Sequence, residues 1–237
     1  MRKMLLVSGA AFALASASQA KDVQPNAYQS RDVPVGAFQR LEVSGPFKVG
    51  VVVQDGPAHV SLTGPSALLA DTIAKVDGDT LSIRFREGAA WSWNPGSGVN
   101  IVVSAPSLVS ARVRGAAEVE VSQAHGETFS ASTEGSGSIA LRGFQARQVK
   151  FATGGSGGIT AEGKAADASY AVSGSGSIDA KRLRVTRASI AVGGSGSVSA
   201  DVSRTADVSV VGSGRVEVVG GATCIGKRAT GPQVECR

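Results

Sequence analysis

The sequence predicts an all-β protein: a parallel β-helix of about six coils, preceded by irregular β coils. Three observations predict it. A short glycine motif recurs at a near-constant period, apolar residues fall in fixed columns around it, and no proline interrupts the repeating stretch.

The motif begins at Gly135-Ser136-Gly137-Ser138-Ile139 and returns at Gly155, Gly174, Gly194 and Gly212, with first glycines 20, 19, 20 and 18 residues apart. Gly115-Ala116-Ala117-Glu118-Val119 is a degenerate copy one period upstream. Self-similarity at a period of about 20 residues is the signature of a solenoid.

Aligning the copies on the first glycine exposes the columns. Two residues before it stand Val113, Thr133, Thr153, Val172, Val192 and Val210; four before it stand Ala111, Ala131, Phe151, Tyr170, Ile190 and Val208. Six before it come Val109, Phe129, Val149, Ala168, Ala188 and Ala206. Four after it stand Val119, Ile139, Ile159, Ile178, Val198 and Val216, and six after it Val121, Leu141, Ala161, Ala180, Ala200 and Val218. Alternation with period two on both sides of a glycine reads as strand, corner, strand, with every second side chain facing inward. One such coil cannot bury its apolar face, so the coils must stack in parallel. Six of them at about 4.8 Å spacing give a column roughly 29 Å tall. Proline is absent between Ser107 and Gly231, where it would break a ladder. An antiparallel sandwich would not keep chemically similar columns at this period.

The other elements follow in order. Arg2 and Lys3, an apolar run to Ala17 and the small-x-small end Ser18-Gln19-Ala20 read as a cleaved signal peptide over residues 1–20. Residues 21–32 read as a flexible lead-in. Residues 33–106 carry alternating runs at 38–53, 59–62, 80–86 and 99–104, and Asp77-Gly78-Asp79 reads as a turn. Ser66–Ala74 fits either one short helix or an extended insertion. The segment is expected to form wider, irregular coils that cap the stack. Residues 107–220 are the regular coils, and residues 221–237 a tail closed by a disulfide. Cys224 and Cys236 are the chain's two cysteines. In an exported protein such a pair reads as a disulfide, worth roughly 3 kcal/mol for so short a loop. A metal or redox pair would need nearby His or Cys partners or CxxC spacing.

One combination of these residues resembles a known family. An opening strand ending in Gly45-Pro46-Phe47, then Leu68-Leu69, Leu81-Ser82-Ile83, Ala105-Pro106-Ser107-Leu108 and the Gly-Ser-Gly corners are similar to the head GIN domain proteins, over about Val33 to Val219. These are bacterial proteins also called autotransporter adhesins. The resemblance implies a right-handed, single-stranded β-helix and an envelope location, and it brings no catalytic residues with it.

Function classes narrow by charge and by column. The whole chain carries +5 at pH 7, falling to about +3 once the two basic residues of the signal are removed. That excludes a dedicated nucleic-acid binder, which needs clustered Lys/Arg with interleaved aromatics. The signal aside, no run approaches the ~20 apolar residues of a membrane span. Cleavage of polysaccharide would need like-charged carboxylates on neighbouring coils. The column seven after the glycine instead reads Ser122, Arg142, Glu162, Lys181, Asp201, Val219, an alternation expected to form an ion-pair ladder. Acids five after the glycine, Glu120, Asp179 and Glu217, are separated by two or more coils. His59 and His125 have no partners in triad spacing, and Asp77 with Asp79 fits a turn better than a calcium site. No catalytic residue, metal or cofactor is expected.

Two features could bind a partner. Trp91 and Trp93 are the chain's two tryptophans and flank Ser92 in a turn-rich stretch. On a strand they would share one face, either plugging the core or offering stacked indoles to a sugar ring or partner protein. They are the candidate ligand-binding residues. Secondly, the outward positions three and one before the glycine become small and nearly uncharged from the third coil on. The sequence therefore reads as an exported, non-enzymatic envelope protein, periplasmic or at the cell surface. It would use a rigid β-helix to bind a glycan or another envelope protein. A polysaccharide-active enzyme and a purely structural component are the alternatives.

Overall fold

The computed structural model describes residues 27–89, 98–229 and 234–237. The signal peptide, the first residues of the lead-in, and Trp91 with Trp93 lie outside the described residues. In chain order the elements are β1 (Tyr28–Val33), β2 (Arg40–Ser44), β3 (Lys48–Val53), β4 (His59–Pro65), α1 (Ser66–Asp71), β5 (Thr72–Asp77), β6 (Thr80–Phe85) and β7 (Asn100–Ala105). There follow β8 (Ser110–Gly115), β9 (Glu118–Ser122), β10 (His125–Gly135), β11 (Ser138–Gly155), β12 (Gly158–Gly174), β13 (Ser177–Gly194), β14 (Ser197–Gly212), β15 (Arg215–Val219), β16 (Thr223–Ala229) and β17 (Val234–Cys236).

The six predicted coils are present as a parallel β-helix. In each, a first arm runs into the corner glycine and a second arm leaves it. A third side, bent at residues such as Gly143 and Gly163, carries the chain to the next level. Registers follow the columns: Ala131, Phe151, Tyr170, Ile190 and Val208 stack in the first arm, and Ile139, Ile159, Ile178, Val198 and Val216 in the second. All ten are buried. The interior keeps its width by compensation. Where the columns six before and six after the glycine shrink to Ala161, Ala168, Ala180, Ala188, Ala200 and Ala206, Phe151, Tyr170, Leu183, Val185 and Val202 fill the space. Phe129 meets Phe144 edge-on at 5.0 Å, and the rings of Phe151 and Tyr170 lie 5.7 Å apart. Val109 departs from its column: it is half-buried, and its neighbour Leu108 takes the buried place.

Both glycines of the corner have a physical reason. At Gly155, φ is +103°, and an added Cβ would lie 2.7 Å from the carbonyl oxygen of Gly135. That oxygen already accepts the N–H groups of Ser156 (2.9 Å) and Gly157 (2.8 Å). The second glycine is excluded from larger residues by contact alone: a Cβ on Gly176 would sit 2.5 Å from Gly157 O and 2.9 Å from Thr153 Oγ1.

Residues 33–106 depart from the expected irregular cap. Gly45 has φ +126° and its N–H donates to Arg114 O (3.1 Å), so Gly45-Pro46-Phe47 is a further corner. Around it Leu41, Val43, Val49 and Val51 occupy the inward columns and pair with Ala111, Val113, Val119 and Val121. On their other edge the same four pair with Leu81, Ile83, Ile101 and Val103 of β6 and β7. The coil of residues 40–53 is thus inserted between the coils of residues 80–105 and 110–122, and stacking order departs from chain order. The parallel ladders end at β6 and β7 because antiparallel strands cover them: β5 on β6 through a turn at Gly78, and β4 on β7. α1 joins these two covers: of the stretch Ser66–Ala74, Ser66–Asp71 is a short helix and the remainder opens β5.

Two boundaries also change. The lead-in expected to reach residue 32 is strand from Tyr28, because β1 satisfies the open edge of β4 across six antiparallel pairs. The tail expected from residue 221 continues the solenoid, since β16 pairs with β14 and β17 with β15, both in parallel. Cys224 stands over Ala206 and Cys236 over Val218. Their disulfide, expected from the sequence, therefore crosses the end of the core.

Candidate functional site

Parallel, in-register pairing turns a column of sequence into a strip of surface. On the outside of the first arm, Ala152, Ala171, Ala191 and Ser209 stack as one strip, and Gly154, Ser173, Gly193 and Val211 as its neighbour. Together with Ser132 they line a shallow groove of about 500 Å³. Val211, at 65% exposure, stands at its C-terminal end. The opposite end is charged: Arg114 holds Glu42 at 2.6 Å and Glu134 at 3.4 Å, and Arg112 donates to Ser132 Oγ. A face of small side chains on hydrogen-bonded backbone has little entropy to lose when a partner is laid on it.

Most carboxylates of the coils are held in ion pairs. Arg147 pairs with Glu127 at 2.6 Å, and Arg187 grips Asp167 through two bonds at 2.6 and 3.0 Å. That grip holds the Asp167 carboxyl below its ordinary value, as the hydrogen bond from Lys181 does for Glu217. The ladder expected seven residues after the glycine forms differently. Arg142 pairs with Glu120, Arg182 with Glu162, Lys181 with Glu217 and Arg184 with Asp201. The reason is the bend: registers shift between Leu141 and Phe144, between Thr160 and Glu162, and between Ala180 and Arg184, so these positions do not lie over one another. Asp79 is likewise held by Arg40 at 2.9 Å, which draws its carboxyl down. Among the described residues no three His, Cys, Asp or Glu side chains come together in a metal-holding group. His59 lies 3.5 Å from Asp32, and His125 Nδ1 contacts Gln123 O at 3.0 Å.

Inside the core, the hydroxyls of Thr133, Thr153 and Tyr170 have no hydrogen-bond partner. Burial pushes the Tyr170 phenol well above its usual range, so it stays neutral. An unpartnered buried hydroxyl contributes nothing to offset its desolvation. Tyr170→Phe is therefore expected to leave stability unchanged or raise it by up to about 1 kcal/mol, read from the urea midpoint. A loss above about 1.5 kcal/mol would mean that the hydroxyl has a partner.

Trp91 and Trp93 lie outside the described residues, but their flanks are placed. The segment that contains them joins β6, which ends at Phe85, to β7, which begins at Asn100. What sequence reasoning missed was the Gly45 coil. The signal was present, since aligning on Gly45 gives Leu41, Val43, Val49 and Val51 in the four inward columns.

The family model "Putative auto-transporter adhesin, head GIN domain" matches residues 37–222. No curated protein matches the chain. Among solved structures, a putative adhesin from Bacteroides fragilis superposes with a TM-score of 0.79 at 19% identity, covering 91% of this chain and 96% of its own. A putative adhesin from Parabacteroides distasonis gives 0.67 at 19% identity, covering 90% and 98%. A putative lipid binding protein from the same species gives 0.64 at 19% identity, covering 88% and 94%. At such identities these likenesses speak to the fold alone. No helix among the described residues is long and apolar enough to cross a membrane. With the family model spanning most of the chain, from the inserted Gly45 coil to the last glycine corner, this protein belongs to the head GIN domain family.

Proposed function

We propose that this chain is an exported envelope protein that binds without catalysing, acting as an adhesin toward a glycan or another envelope protein. The observation that carries the reading is the groove of the first arm, a rigid strip of Ala, Gly and Ser running along five stacked strands. The disulfide and the signal-like N-terminus support export. The occupied carboxylates support binding over cleavage. Glu127, Glu162, Asp167 and Asp201 each face an arginine, where an acid/base pair would face substrate. Trp91 and Trp93, in the segment between β6 and β7, are proposed to extend the binding surface.

The experiment is a retention assay with variants. Ala152→Arg with Ala191→Arg, two strands apart, places two long side chains on an exposed strip and should abolish retention on the captured polymer or partner protein. The melting temperature should stay within about 2 °C, as for other surface changes. Trp91→Ala with Trp93→Ala should weaken capture with the fold retained. Full capture by both double variants would contradict the reading; a large fall in melting temperature for the tryptophan pair would place the indoles in the core.

A further inference from the structure

A second, polar site lies on the third side, away from the groove. Two neighbouring sets of outward residues there obey different rules. One alternates in sign, Glu127, Arg147, Asp167, Arg187, and its members pair at close range. The other runs in register as His125, Gln145, Lys164, Arg184, Asp201. Only its last two members form a pair, Arg184 with Asp201 at 3.4 Å. Lys164 is set between a glutamine and an arginine, with no carboxylate partner among the described residues. Like charges directly opposite on adjacent strands are destabilising; Asp201 answers Arg184, and no ion pair answers Lys164.

His125, Gln145 and Lys164 rim a shallow depression of about 370 Å³ floored by Gly126, Ala146 and Ala165. The carbonyl of Gln123 holds His125 by its Nδ1 at 3.0 Å, which orients the ring and leaves Nε2 for a ligand. Gln123 adopts φ +62°, where it is the sole non-glycine residue with positive φ among the described residues. The nearby acids Glu127, Glu162 and Asp167 are engaged by Arg147, Arg182 and Arg187 and do not neutralise Lys164.

We propose that His125, Gln145 and Lys164 bind an acidic polysaccharide, one whose sugar rings carry carboxylates. Lys164 takes the carboxylate. The Gln145 amide, which both donates and accepts, and His125 Nε2 take ring hydroxyls. One contact per coil suits a polymer lying along the stack. This site rests on the reading of the protein as a glycan-binding envelope protein and names the charge of the glycan.

The test is retention of the purified chain on immobilised polygalacturonate, with neutral dextran as the second matrix. Wild-type protein should be retained on polygalacturonate, less so as salt is raised. Lys164→Gln should weaken retention about three- to fivefold at unchanged melting temperature. Lys75→Gln, an equal change of net charge on exposed β5, should leave it as it was. His125→Ala should weaken it further in combination with Lys164→Gln. Equal losses for Lys164→Gln and Lys75→Gln would reduce the effect to net charge and overturn the site. Retention on dextran but not on polygalacturonate would overturn the site while leaving the binding function standing. Retention on neither would likewise overturn the site.

Discussion

Gly155→Ala should lower stability by about 4 kcal/mol, one of the largest effects available from a single methyl group in this fold. Two costs add. A side chain at φ +103° costs on the order of 1–3 kcal/mol. The new Cβ also meets the Gly135 carbonyl oxygen at 2.7 Å, an overlap with backbone worth a further 1–3 kcal/mol or so. Relief by movement is blocked because that oxygen anchors two N–H groups of the next corner, those of Ser156 and Gly157. Since Gly174 lies over Gly155 in the same way, the corner cannot shift without disturbing the coil beyond it. Urea unfolding compares it with Ser156→Ala, one residue on and exposed, which should stay within about 0.5 kcal/mol of the parent. Equal midpoints for the two variants would remove the corner argument.

Removing the disulfide by Cys224→Ser with Cys236→Ser should cost roughly 3 kcal/mol, the chain-entropy value for a separation of 12 residues. The loss should also be local. Cys224 and Cys236 are the last layer over Ala206 and Val218, and the coil they close has one stacking neighbour where inner coils have two. Amide exchange should therefore quicken in β16 and β17 well before it does in β11 or β12. Uniform quickening throughout the stack would show that the clasp sets global stability and does more than secure the end.

These two effects fall on features of different legibility. The corner was readable because its constraint repeats: one geometry, met six times, selects the first glycine every time, the second in five copies, and apolar residues at fixed offsets. The disulfide was readable from its residue type, but the coil around it was not. Val234 and Cys236 are too few to display alternation, and the backbone ladder to Val216 and Val218 is what defines them as a strand. The inserted coil failed for another reason. Its columns fit the repeat, yet its neighbours in space are 40–70 residues away in the chain, and a period shows only where stacking order equals chain order. The ion pairs failed because counting residues past a bend assumes constant register, and the ladders shift at Leu141/Phe144 and Ala180/Arg184. Apolar residues of the third side, Phe144, Leu183 and Val202, escaped the column alignment for the same cause.

The candidate surfaces divide similarly. The small-residue strip was visible as a column and is realised as a groove, because first-arm registers hold without a break from Ser132 to Ser209. The site at His125, Gln145 and Lys164 was invisible, since those residues stand 10, 10 and 9 places after their corner glycines and past the bend. The tryptophans were conspicuous by composition and lie outside the described residues.

The central claim is that this β-helix binds and does not cleave. The direct measurement is incubation of the purified chain with a panel of neutral and acidic envelope polysaccharides, with and without calcium, scoring both retention and new chain ends. Retention on at least one polymer with no new chain ends is the predicted result. New chain ends on any of them would contradict it and return attention to the carboxylates now held by arginine.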